Sequence, residues 1–149
     1  MGKEILIKEN TFEKARKKVQ ENLGKRIIFA NDDDELNRKV LEKLKINILL
    51  LSQEKRRDFS KQRNSGLNHV LARIAKKNKI DVGIDLDEII EAEGKLKAEI
   101  LARVSQNAKL CNKNKIQMRF ISQKQKRDQH DLKALGLVIG MPTWMTKHF

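Results

Sequence analysis

The sequence is poor in everything that staples a small protein from outside. It has one cysteine, Cys111, so no internal disulfide can form, and a reducing cytoplasm is the expected setting. It has one proline, so long irregular linkers are not expected, and the chain reads as a single α/β domain over 1–149. No apolar run approaches the ~20 residues of a membrane span; Ile48–Leu51 is typical of what is there. No charged-then-apolar signal segment opens the chain, and no membrane partner is expected. Aromatics are scarce, with five Phe, one Trp and no Tyr. That is little equipment for stacking unpaired bases, so contacts to the backbone and shape of a folded RNA or duplex are the expectation.

The signatures of common enzymes are missing too. There is no phosphate-cradling G-x-x-x-x-G-K-[ST] loop and no G-x-G-x-x-G turn after a strand. His69, His130 and His148 stand apart, without the spacing of a metal site, and one cysteine cannot make a paired-cysteine zinc cluster. Cys111 falls on the apolar stripe of a helix, where it reads as a small buried hydrophobe rather than a nucleophile. No cofactor, metal ligand or catalytic residue is assigned. The acidic run Asp81, Asp85, Asp87, Glu88, Glu91 and Glu93 reads as a solvent-facing helix start, as does Asp32–Asp34.

What the chain has is positive charge. Lys and Arg number 33 against 20 Asp and Glu, a net +13. The excess is segregated: 51–79 carries +7 and 101–149 carries +8, while 80–100 carries −5. A merely solvated surface mixes its signs, and a separated basic side is the footprint of a polyanion partner.

Short β-branched runs alternate with helical periods. Strands are expected at Glu4–Lys8, Arg26–Ala30, Ile46–Leu51, Ile80–Ile84 and Ile116–Ile121. Helices are expected over Thr11–Leu23, from Asp32–Asp34 to Leu44, after Ser65 as cap, over Asp87–Glu93, Lys95–Asn114 and Asp128–Ile139, with 142–149 a short tail. This alternation implies parallel strands joined by right-handed crossovers. Five such units give an incompletely closed, partial TIM-like barrel.

Two basic clusters follow strands: Lys55, Arg56, Arg57, Lys61 and Arg63 after the third, and Lys124, Lys126 and Arg127 after the fifth. In a parallel sheet both loops leave the same end, where sites collect, so they can form one phosphate-binding face. These eight residues are the candidate RNA contacts.

Ser65–Ala75, SGLNHVLARIA, resembles a segment of archaeal ribonuclease P protein component 3, which has a eukaryotic counterpart. Asp34–Arg38 with Ile46–Leu51, Asn107–Lys115 and Asp131–Met141 (DLKALGLVIGM) resemble further pieces of that family in order. The likeness spans about 26–141 and is weakest over 1–25. It implies a TIM-like barrel related to metal-dependent phosphoesterases but without their ligands. It also implies an RNA-binding subunit that assists a catalytic RNA in removing the 5′ leader of precursor tRNA, beside a small α/β partner subunit. Family chains are longer, so a barrel short of strands predicts association, as a homodimer or with another protein. A generic RNA- or ribosome-associated protein and a degenerate phosphoesterase barrel are the alternative readings. Ser65 is expected to cap a helix, Gly66 to allow close backbone packing, and His69 to be a satisfied structural histidine.

Overall fold

The computed structural model describes residues 3–124 and 126–149. Five parallel strands, β1 (Glu4–Ile7), β2 (Arg26–Ala30), β3 (Ile48–Leu51), β4 (Asp81–Asp85) and β5 (Met118–Ile121), lie side by side in sequence order. The helices are α1 (Phe12–Glu21), α2 (Asp34–Lys43), α3 (His69–Lys77), α4 (Leu86–Glu91), α5 (Gly94–Asn114), α6 (Gln129–Ile139) and α7 (Thr143–Thr146). β1 and β5 each have one neighbour, so the sheet is open, in keeping with a partial TIM-like barrel.

Strand periodicity sorts the core in two. Phe29, Leu49, Leu51, Val82, Ile84 and Met118 face the helices and join the main cluster, with Val40 and Leu41 of α2 and Ile100, Val104, Ala108 and Cys111 of α5. The alternate residues Ile28, Ala30, Ile48 and Leu50 form a second cluster on the other face. Leu6 from one edge strand and Ile121 from the other both pack on it, so the sheet is curled. Gly83 of β4 belongs to this inner face. A methyl there would meet Ile48 at 2.9 Å and Leu50 and Ile121 at 3.2 Å, so neighbouring side chains already fill the interior. Burial on both faces is why β3 reads as an unbroken apolar run.

Helix starts carry their own instructions. Thr11, Asp33, Asn68, Asp85 and Asp128 cap α1, α2, α3, α4 and α6, each accepting backbone N–H bonds in the first turn. Several strand and helix ends shift by one or two residues, with β3 starting at Ile48 and β5 at Met118, and two helix starts differ in their caps. The cap of α3 is Asn68, which accepts from Leu71 N at 2.9 Å; Ser65 is buried three residues upstream in the loop. The short acidic helix begins at Leu86, because Asp85 at the end of β4 caps it through Glu88 N at 3.2 Å. The chain's last residues are a packed element: Met145 is fully buried, and Phe149 meets Phe120 edge-on at 5.3 Å.

Candidate nucleic-acid interface

Parallel pairing sends segment 52–68, α4 and segment 122–128 away from the same end of β3, β4 and β5. Neighbouring strands lie ~4.8 Å apart, so the two basic loops start ~10 Å apart with α4 between them. A cleft of ≈ 330 Å³ opens at this end, lined by Lys8, Asn31, Ser52, Lys55, Asp85 and Glu88 among others.

The eight candidate residues do not behave alike. Lys55, Arg57 and Lys61 are exposed and form no ion pair among the described residues. Lys126 and Arg127 are exposed on the other loop. Arg63 sits 3.4 Å from Asp58. Lys124 reaches Glu91 at 3.1 Å, and that hydrogen bond raises its pKa, although the ammonium remains in solvent. Arg56 departs from the solvent-facing set: its side chain is only 8% exposed. Its guanidinium clasps both oxygens of Asp34 at 2.9 and 3.2 Å, while Nε donates to Ser52 O at 3.0 Å and Nη1 to Asn64 Oδ1 at 3.2 Å. It braces the loop against α2, a role its place in a basic run does not advertise. Gly66 makes that possible, since its φ is +80° and any Cβ would collide with the Arg56 guanidinium.

The acidic run departs furthest from a solvent-facing helix start. Asp87 and Glu88 are each 8% exposed and face inward, each holding one basic loop. Glu88 accepts from Gln53 N at 2.7 Å and Glu54 N at 3.3 Å. Asp87 accepts from Ser122 Oγ at 2.8 Å, Gln123 N at 2.9 Å and Lys124 N at 3.1 Å. The physical reason is position: a helix starting directly from β4 lies between two loops whose backbone donors have no strand partner, and carboxylates satisfy them. Burial pushes the Glu88 carboxyl up to about 7, against the pull of its two N–H donors, with Asp85 and Glu54 adding to the rise.

A second set of contacts ties segment 52–68 to α5. Arg103, 2% exposed, donates from Nε to Asp58 at 2.9 Å and from Nη1 to Gln53 O at 2.9 Å. That hydrogen bond is the main reason the Asp58 carboxyl lies below its ordinary pKa. Gln53 and Asn107 both donate to the buried carbonyl of Ser65, at 2.9 and 3.2 Å. Fixed at Gln53, Arg56, Asp58 and Ser65, the loop is a built platform.

One further residue departs from expectation. His69 is exposed at the first position of α3, and its side chain forms no hydrogen bond among the described residues, so it is not a buried structural histidine. Phe59, which composition alone does not single out, projects from the basic loop 57% exposed. Cys111 is fully buried, and burial pushes its thiol up to about 12, as befits a packing residue. Among the described residues, no group of three His, Cys, Asp or Glu side chains could hold a metal ion, and no helix is long and apolar enough to cross a membrane.

No family model matches the chain. Ribonuclease P protein component 3 of Methanococcus maripaludis strain C7 is 29% identical over 105 residues, 70% of this chain. The protein of the same name from Methanococcus vannielii is also 29% identical over 105 residues. The resemblance to ribonuclease P protein component 3 holds. The matched stretch is 42% of the Methanococcus proteins, so the chain spans under half the length of these relatives. The fold agrees: a chain from a cryo-EM structure of archaeal ribonuclease P with mature tRNA superposes with a TM-score of 0.82 at 23% identity. That superposition takes in 97% of this chain and 62% of the other, so nearly every element here has a counterpart in a larger ribonuclease P protein.

Proposed function

We propose that the chain acts as an RNA-binding protein subunit of ribonuclease P, assisting a catalytic RNA in removing the 5′ leader from precursor tRNA. The likeness to component 3 over 105 residues carries this reading, and the basic residues of the strand-end loops supply the charge such a role needs. The work of the chain is to bind and position RNA. Lys55, Arg57, Lys61, Arg63, Lys126 and Arg127 neutralise phosphates from one end of the sheet, with Lys124 contributing charge from its place beside Glu91. Arg56 supports the loop that presents them. The partners are the ribonuclease P RNA with bound precursor tRNA and a small α/β subunit of the same particle, assembled in the cytoplasm. The unpaired edges at β1 and β5 support association with protein, in a homodimer or with that subunit.

Reconstitution tests the reading. Adding the chain to ribonuclease P RNA with the other protein subunits should increase 5′ leader removal over the same mixture without it, and the chain alone should cleave nothing. No gain across a range of magnesium concentrations would refute it.

A further inference from the structure

We infer that Phe59 is a stacking residue: the loop that carries the phosphate-binding cations also takes up one unpaired RNA base on the Phe59 ring. This rests on the proposed RNA-binding role and assigns it a substrate class, RNA with an accessible single-stranded base beside a structured backbone.

The chain spends its other aromatics on packing. Phe29 is fully buried, and Phe12, Phe120, Phe149 and Trp144 pack against the main core. Phe59 alone among the phenylalanines stands out in solvent, at 57% exposure. Leaving a ring in water forgoes the gain of burying it, and here the ring emerges from a loop whose frame is fixed. The preceding residue, Asp58, is held by Arg103 Nε at 2.9 Å, Asn64 N at 3.0 Å and Arg63 Nη1 at 3.4 Å. Arg56 is anchored on Asp34. A ring presented from such a frame loses little freedom when a ligand arrives.

Its flanks select the ligand. Arg57 and Lys61, two residues to either side, are exposed and unpaired among the described residues. A flat apolar ring between cations matches a nucleotide, which offers a π face and an anionic phosphate together. A base inside a duplex has its faces covered by its neighbours, so only an unpaired base can use the ring. The other exposed apolar residues, Leu23, Val70, Leu137 and Val138, are aliphatic and offer no such face.

The test compares two RNAs with the full chain: a hairpin bearing a fluorescent adenine analogue in its unpaired loop, and a fully paired duplex with the same number of phosphates. F59A and F59L should weaken hairpin binding roughly tenfold, leave duplex binding within about twofold, and abolish quenching of the analogue. F59W should restore both affinity and quenching. The salt dependence of F59A should match that of the wild type, because stacking releases no counterions; R57A with K61A should instead weaken both RNAs and lower the slope. If F59A binds the hairpin as the wild type does, or loses hairpin and duplex equally, the stacking role is wrong and the ring serves a protein contact or none. If the wild-type chain binds neither RNA, the RNA-binding role and this inference fall together.

Discussion

Arg56 and Arg57 are adjacent, carry the same charge and do different work. Arg56 is nearly enclosed by Asp34, Ser52 O and Asn64, whereas Arg57 is exposed. Removing Arg56 leaves an acceptor set without its donor, and hydrogen bonds to charged groups are worth about 1.5–3 kcal/mol each in such settings. R56A should therefore lower stability by about 2–3 kcal/mol, while R57A should stay within ~0.5 kcal/mol. Equal urea midpoints for the two variants would contradict this division. G66A should resemble R56A, because it combines a left-handed backbone with loss of the space the guanidinium occupies.

Glu88 gives the same scale a pH dependence. A carboxyl with a folded-state pKa of about 7, above its unfolded value near 4.5, binds protons more tightly in the native state. Its favourable contribution is complete below pH 4.5 and is lost as pH rises through 7, so this group makes the protein less stable toward neutrality. The loss is at most roughly 3–4 kcal/mol, from 1.36 kcal/mol per pKa unit. E88Q should flatten the decline in unfolding free energy between about pH 5 and about pH 8. Parallel wild-type and E88Q curves over that range would assign the titration elsewhere.

Among elements, α4 governs both loops. D87A should release segment 122–128 and E88A the start of segment 52–68, each without loosening the other. Amide hydrogen exchange should report it: faster exchange at Gln123 and Lys124 in the first variant, and at Gln53 and Glu54 in the second. Coupled acceleration of all four would show a single mobile unit instead of two tethers. The strands themselves were legible in sequence, because runs such as Ile48–Leu51 and Arg26–Ala30 are buried on both faces, one against helices and the other inside the curled sheet. So was the arrival of two basic loops at one end, which follows from parallel topology. The direction of each side chain was not. Asp87 and Glu88 look like any acidic first turn, and only three-dimensional placement shows unpaired loop amides waiting for them. The same holds for Arg56, hidden in a Lys-Arg-Arg run, and for Phe59, whose neighbours in sequence do not reveal whether a ring is buried. Asn68 does not stand out as a cap in the sequence because Ser65 is also a good one; the backbone turn at Gly66 delays the helix.

For the molecule as a whole, the distribution of charge is what a polyanion would feel. Exposed cations of segments 52–68 and 122–128 share one end of the sheet, whereas Lys14, Lys17 and Lys18 lie on α1. RNA affinity should fall steeply with salt, and R57A with K61A should reduce the magnitude of the log–log slope by about one to two. The triple change K14A, K17A and K18A should alter it much less. Equal effects would mean that binding is diffuse over the surface.

The side-by-side order of the five strands also bears on how the protein comes into being. Every strand pairs with the one synthesised just before it, and no pairing waits for a distant segment. As each strand and its helix leave the ribosome, the previous strand already offers a free edge in the right orientation. Such a sheet can assemble vectorially, unit upon unit, each pairing closing over a single strand–helix unit.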